Sequence, residues 1–330
     1  MKRIAMISTG GTIAMQADAS GLANSALGAR KLLELANIDR TDITFVEMEY
    51  INIPSPHIQI EDLVTLKELV EKAVNEEKVD GVVITHGTDT LQETAYFLDL
   101  TLHLNVPVVV TGAQRNSSLT MSDAALNIAD SVLVASDQRA SEMGVLVVFG
   151  SEIIPARDVI KEHKTALTTF KAIDFGHIGH VNNGHCVWTR KPLIHDHYQI
   201  GLEIEKLKVA IVPTYIGQDS TMLRYLLNDG IDGIIIEGFG AGHVPQNMVP
   251  GIQEAIEKNV PVILTSRSRK GSMLTDTYGF IGSETYLRKM GVIQGEDLTP
   301  DKLRIKLLLL LSTHATHAEI KQAYEQHFYL

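Results

Sequence analysis

Only one cysteine, Cys186, occurs in 330 residues, so no intrachain disulfide can form. No apolar window is long enough to span a bilayer. The conspicuous apolar run, Leu307 to Leu311, reads as part of a helix that also carries Lys302, Arg304 and Lys306. Positive charge is in deficit. The 29 Lys and Arg face 40 Asp and Glu, for a formal net charge of −11, which excludes an electrostatic basis for binding nucleic acid or an anionic membrane. Met1-Lys2-Arg3 followed by Ile4 to Ile7 resembles the start of a signal peptide, but the apolar run is too short and Gly10-Gly11 interrupts it. Internal repeats and low-complexity segments are missing. Neither a P-loop nor a G-x-G-x-x-G follows a strand; Gly238-Phe239-Gly240-Ala241-Gly242-His243 comes near, with His at its sixth position. These absences leave a globular chain with the cytoplasm as its simplest address. At 330 residues and 45% hydrophobic content it is long enough for two domains with substantial cores.

Apolar strand-like runs alternate with amphipathic helical ones, the pattern of a parallel α/β sheet. Strands are expected over Arg3–Ser8, Ile43–Met48, Gly81–Thr85, Val106–Thr111 and Gly144–Phe149. Helices are expected over Ala29–Ala36, Glu61–Asn75, Leu91–Leu102 and Asp123–Val134. In the second of these, Leu63, Leu66, Leu69, Val70 and Val74 line one face opposite charges. Ser151–Arg190 reads as loop-rich, and the segment around Lys191–Lys206 as an inter-domain linker. A second α/β unit starts at Lys208. Its expected strands are Val209–Pro213, Gly233–Glu237 and Val260–Thr265, and its expected helices Thr221–Asn228, Met248–Lys258, Pro300–Leu311 and Ala318–His327. The expected fold class is therefore α/β: a larger, doubly wound N-terminal domain over 1–190, a linker over 191–207, and a smaller parallel C-terminal domain over 208–330.

Chemistry concentrates at two strand ends. Ile7-Ser8-Thr9-Gly10-Gly11-Thr12-Ile13-Ala14 is an apolar strand, a two-glycine turn and then a hydroxyl. Ile84-Thr85-His86-Gly87-Thr88-Asp89-Thr90 repeats the arrangement with a carboxylate added. Two strand ends carrying Thr12, Thr88 and Asp89 suit acyl transfer with a Thr nucleophile. Each motif alone also reads as a plain structural device: Gly10-Gly11 as a turn, Thr88 or Asp89 as a helix N-cap. His177, His180 and His185 with Cys186, and His195 with His197, have ligand-like spacing, but lie among glycines and asparagines with no fixed second pair. No metal site is expected.

Taken together, the motifs resemble the bacterial-type L-asparaginases, the asparaginase/glutaminase amidohydrolases. The resemblance rests on Thr9-Gly10-Gly11-Thr12-Ile13-Ala14 and Thr85-His86-Gly87-Thr88-Asp89-Thr90, with Glu93-Thr94-Ala95 following. It continues through Thr111-Gly112-Ala113-Gln114-Arg115, Arg157-Asp158 with Lys161, and Tyr278-Gly279-Phe280. It implies hydrolysis of L-asparagine to L-aspartate and ammonia through a Thr-linked acyl-enzyme, without a cofactor. Thr12 matches the family's nucleophile. Thr88, Asp89 and Lys161 match its second catalytic cluster, in which Lys161 and Asp89 polarise Thr88. Asp89 is the natural partner of the substrate ammonium, Ser55 matches the serine that holds the α-carboxylate, and the Ala113 carbonyl matches a position aimed at the leaving amide. Backbone N–H groups near Thr12 or Thr88 would meet the oxyanion. The late glycine-rich loop implies a dimer of dimers with shared sites, His243 reaching the site of a neighbouring chain.

Several departures bear on the proton route and the side-chain preference. Leu22 stands where the family often has a tyrosine, Pro56 follows the binding serine in place of Gln, and His243 replaces Asn. Gly271-Ser272-Met273 precedes Tyr278 where some members place an acidic residue, and Tyr278 is a candidate replacement phenol. The missing tyrosine and acid imply a strong preference for asparagine over glutamine. Two rival functions are an asparaginase-like subunit of a tRNA-dependent amidotransferase and a non-catalytic amino-acid binder. The first would favour an added N-terminal domain and a basic surface, whereas this chain opens at its first strand and is acidic. The second would have no use for Thr12, Thr88, Asp89 and Lys161 together.

Overall fold

Strand β1 runs from Lys2 to Gly10 and is buried from Ile4 onward, which is why it reads as a continuous apolar run and not as an alternation. The structure, a computed structural model, describes residues 1–17, 23–25, 27–38, 40–295 and 297–326. Leu22 and His327 lie outside the described residues. The chain divides into two compact units, Met1–His197 and Tyr198–Leu330.

In the first unit β1 is followed by β2 (Met15–Ala17), β3 (Ala23–Ser25), α1 (Ala29–Ala36), β4 (Ile43–Ile53), α2 (Ile60–Asn75), β5 (Gly81–Thr85), α3 (Leu91–Thr101), β6 (Val108–Thr111), α4 (Ala124–Ala135) and β7 (Val145–Phe149). Then come β8 (Glu152–Pro155), β9 (Val159–Lys161), β10 (Phe170–Ala172), β11 (Gly179–Asn182) and β12 (His185–Trp188). One sheet has the order β12-β11-β8-β7-β6-β5-β1-β4. Strands β4, β1, β5, β6 and β7 are parallel, while β8, β11 and β12 extend the sheet antiparallel. Ile4, Met6, Val83, Val109, Leu146 and Ile128 belong to one core cluster of this unit. Helix α2 turns Leu63, Leu66, Val70 and Ala73 inward, as its periodicity requires, and is started by a capping box between Gln59 and Asp62.

The segment Ser151–Arg190 departs from the expected loop. It forms the five short strands β8 to β12. Each has only three or four residues, too few for alternation to register. The hairpin between β11 and β12 did carry a local signal: Asn183-Gly184, left-handed at φ 48 and 71, closes it, and Asn-Gly is the preferred pair for such a turn.

The second unit contains β13 (Val209–Pro213), α5 (Thr221–Asn228), β14 (Gly233–Gly238), α6 (Val249–Glu257), β15 (Val262–Ser266), α7 (Glu284–Met290), β16 (Ile293–Gln294), α8 (Pro300–Ser312) and α9 (His317–Glu325). Its four strands are all parallel, in the order β13-β14-β15-β16. Helix α7 was missed by the sequence reading, although Ser283 caps its start through the Tyr286 N–H and Gly291 ends it at φ 106. Helix α8 buries Leu307 to Leu310 together with Lys302 and Lys306, so its apolar run is a core helix. Among the described residues no helix is long and apolar enough to cross a membrane.

Candidate active site

Strand order does the assembling. β1 lies between β4 and β5, and β6 lies beyond β5. Ser8 is level with Thr85, and Thr85 with Thr111. Gly10 pairs with Ile53 across a register shift. Four neighbouring strands therefore deliver Thr12, Ser55, Thr88-Asp89 and Ala113 to one carboxyl edge, where open α/β sheets bind ligands.

The turn after β1 needs its glycines twice over. Gly10 and Gly11 are left-handed at φ 95 and 78, and a Cβ on Gly11 would lie 2.2 Å from the Gly87 Cα. The first and second motifs thus touch backbone to backbone. A Cβ on Gly87 would in turn lie 2.6 Å from the Ser55 hydroxyl oxygen. Thr12 then opens a short 3-10 turn, Thr12–Ala14, half-buried between buried neighbours. Among the described residues no turn or loop backbone carbonyl accepts from the N–H groups of Thr12 and Thr88.

Lys161, at the end of β9, supplies the polar centre. Its Nζ donates to Thr88 Oγ1 at 2.9 Å and to Asp89 Oδ1 at 2.7 Å. Its backbone N–H donates to the Gln92 side chain at 2.7 Å, which fixes the lysine against α3. Thr88 is buried, whereas the Asp89 side chain is 62% exposed, so its carboxylate can meet a ligand from solvent. Ser55 is buried and opens the turn Ser55–His57, and its carbonyl accepts from Thr90 Oγ1 at 3.0 Å. Ala113 is fully buried. Its loop is held by the Asp123 carboxylate, which accepts from the N–H groups of Gln114 and Arg115 at 3.0 and 2.9 Å, and by Asn127 Nδ2, which donates to the Gly112 carbonyl at 2.9 Å. Gln92, Asp123 and Asn127 were not singled out from sequence; they support the site from helices α3 and α4 and carry no motif of their own.

His86 lies beneath this cluster, fully buried. Its Nδ1 is 2.8 Å from the Gly87 carbonyl, which can only accept, so Nδ1 carries the proton and Nε2 accepts from Thr94 Oγ1 at 2.9 Å. Burial pushes its pKa down to about 4, against a smaller upward pull from the Gly87 carbonyl. The unfolded chain binds this proton near its ordinary value of 6.5, the native chain only near 4. Native stability is therefore expected to fall by about 3 kcal/mol as pH drops through that window, at about 1.4 kcal/mol per unit. Urea unfolding at roughly pH 7 and pH 4.5 checks this, with His86→Gln expected to lose less between the two than the wild type does.

His243 belongs to the second unit, in the turn after β14. Its Nε2 is 3.1 Å from Glu284 Oε2, and its ring packs edge-on against Tyr278 and Phe280 at centroid distances of 5.1 and 5.0 Å. The ligand-like histidine spacings come together only in part: the His177 and His180 rings are 6.1 Å apart. Among the described residues no group of three or more His, Cys, Asp or Glu could hold a metal ion. Cys186 is half-buried, and burial, followed by the nearby Asp137, pushes its thiol up to about 12.

A hydroxyl, a lysine and a carboxylate in contact at the carboxyl edge of a parallel sheet, beside a second hydroxyl on a Gly-Gly turn, define an α/β protein with an enzyme-like polar site. Residues 3–194 match the family "Asparaginase, N-terminal", and residues 208–324 match "Glutaminase/Asparaginase C-terminal domain". The L-asparaginase of Bacillus licheniformis is 37% identical over 324 residues, covering 98% of this chain and 99% of that protein. L-asparaginase 2 of Escherichia coli is 32% identical over 340 residues, covering 99% and 94%. The crystal structure of a probable cytoplasmic L-asparaginase from Campylobacter jejuni superposes with a TM-score of 0.85 at 30% identity, covering 98% of this chain and 99% of that one. The chain belongs to the asparaginase family.

Proposed function

We propose that Thr12 is the nucleophile of an L-asparaginase whose proton traffic runs through Thr88, Asp89 and Lys161. The protein hydrolyses L-asparagine to L-aspartate and ammonia. The observation that carries the reading is the contact of Lys161 Nζ with both Thr88 and Asp89, on the sheet edge that also bears Thr12. In the reaction, Thr12 Oγ attacks the side-chain amide carbon and gives up its proton. The N–H groups of Thr12 and Thr88 meet the oxyanion. The C–N bond breaks, ammonia leaves with the added proton, and an ester to Thr12 remains. Water, held by Thr88, then attacks the ester and releases aspartate. The substrate is an amino-acid amide, gripped by Asp89 at its ammonium, by Ser55 at its α-carboxylate and by the Ala113 carbonyl at its amide. Action in the cytoplasm is part of this reading, supported by the likeness to the probable cytoplasmic L-asparaginase of Campylobacter jejuni. Ammonia release from asparagine by the purified protein tests the reading; an amidotransferase subunit or a non-catalytic binder would release none alone.

Asp89→Asn keeps the shape and removes the charge. Asparagine binding is expected to weaken on the order of tenfold to a hundredfold, while melting temperature moves little, because the pair with Lys161 is largely exposed on the Asp89 side. Succinamic acid, which lacks the amino group, should be the poorer substrate of the wild type and should lose little further in the variant. Equal turnover of the two amides by the wild type would remove the role assigned to Asp89.

The active species in this reading is a dimer of dimers in which the Gly240–His243 loop of one chain completes the site of another. Mixing Thr12→Ala with a variant disrupted at Gly242 and His243 is expected to restore part of the activity that each lacks alone. Absence of recovery despite demonstrated subunit exchange, or a fully active monomer by light scattering, would sink the shared-site reading.

A further inference from the structure

The second unit holds a buried carboxylate that the chemistry of the first unit does not use. The turn after β14 is built on Gly240 and Gly242, left-handed at φ 41 and 96. Phe239 and His243 exchange backbone hydrogen bonds of 2.8 and 2.9 Å across it. The Val244 N–H donates to the Gly282 carbonyl at 2.9 Å and ties the turn to the segment before α7. The imidazole thus stands at the carboxyl edge of a parallel sheet, flanked by Tyr278 and Phe280, each about half exposed.

Glu284 fixes this imidazole from below. Its carboxylate is fully buried. Oε1 accepts from the N–H groups of Thr277 and Tyr278 at 2.8 Å each and from Thr285 Oγ1 at 3.2 Å. Burial alone would raise the carboxyl, but the backbone donors and His243 outweigh it and hold it below the usual carboxylate range. It is therefore ionised at neutral pH and can only accept. The one described partner of Oε2 is His243 Nε2, at 3.1 Å. The proton of that bond must sit on Nε2, so a ring carrying that one proton presents Nδ1 as a lone-pair acceptor.

We propose that Glu284 is a positioning residue: it locks His243 in the Nε2–H tautomer so that Nδ1 accepts a hydrogen bond from the α-ammonium of the substrate. This rests on the reading above that His243 reaches substrate. An asparagine at this place would offer a carbonyl acceptor with no help; a histidine offers one only when its tautomer is chosen, and the buried carboxylate chooses it.

The test combines spectroscopy and a mutant cycle on the assembled enzyme. Nitrogen NMR of histidine-labelled wild type is expected to find His243 as Nε2–H, and in Glu284→Gln to find that preference lost, because the amide can present a donor. Glu284→Gln should raise KM for asparagine roughly tenfold. The KM for succinamate, which has no ammonium, should change by less than about twofold. In a His243→Asn background, Glu284→Gln should add nothing to KM, since the asparagine carbonyl needs no tautomer. A wild-type Nδ1–H tautomer, or an equal KM penalty in both backgrounds, would overturn the role of Glu284. If His243→Ala leaves KM for asparagine unchanged while the tautomer is Nε2–H, the contact of His243 with substrate is what fails.

Discussion

Thr12→Ala is expected to fold as the wild type does and to lose asparagine hydrolysis by on the order of 10³-fold or more, as is typical for loss of a nucleophile. The substitution removes a hydroxyl and a methyl from a half-buried position, opens no core cavity and leaves the Gly10-Gly11 turn intact. The cost to folding should therefore stay below about 1 kcal/mol. Two measurements separate nucleophile from bystander. Steady-state ammonia release gives the loss in kcat. Intact-mass and peptide analysis after trapping with a reactive substrate analogue should place the adduct on the peptide containing Thr12. An adduct on the peptide containing Thr88, or a Thr12→Ala enzyme that still turns over, would transfer the nucleophile's role to the other strand end.

The second large effect is expected at Lys161. Lys161→Met keeps the length of the side chain and removes its charge and its donors to Thr88 and Asp89. Turnover should fall on the order of 10²- to 10⁴-fold, the range for loss of a positioned proton-transfer group. Stability should change by less than about 1 kcal/mol, because the Asp89 partner is largely exposed and well screened. Lys161→Arg divides the role further. A guanidinium keeps the positive charge but does not give up its proton. Partial activity in that variant would mean that the charge on Thr88 and Asp89 is what matters; activity as low as in Lys161→Met would mean that the lysine must pass through its neutral form. A Lys161→Met enzyme within tenfold of wild-type kcat would remove the lysine from the chemistry.

What could be read along the chain was whatever is written locally. The buried parallel strands around Ile4, Val82 and Ile234 are continuous apolar runs, and α2 carries a helical stripe with charges opposite. The two-glycine turn before Thr12 and the His86–Thr90 stretch stand out because close backbone approach demands glycine there, and the structure finds Gly11 against Gly87. Short antiparallel strands were not legible, since three or four residues between turns cannot establish a period; β8, β11 and β12 take their conformation from the edge of the sheet they join, and β9 and β10 from pairing with each other. Helix α7 was missed for a similar reason: seven residues give one face too few positions to show itself.

The sequence by itself therefore determined the fold class, the two-unit organisation of its strands and helices, and the residue types available for catalysis. It could not determine their arrangement. Thr12, Ser55, Thr88, Ala113 and Lys161 are separated by up to 149 positions, and their convergence follows from β1 lying between β4 and β5 with β9 folded back on α3. That strand order is a global solution to burying both faces of one sheet, and no local pattern encodes it. The supporting bonds from Gln92, Asp123 and Asn127, the tautomer of His86 and the meeting of His243 with Glu284 were likewise decided only in the tertiary structure. Each depends on burial, which leaves a polar atom no partner but the one the fold brings to it.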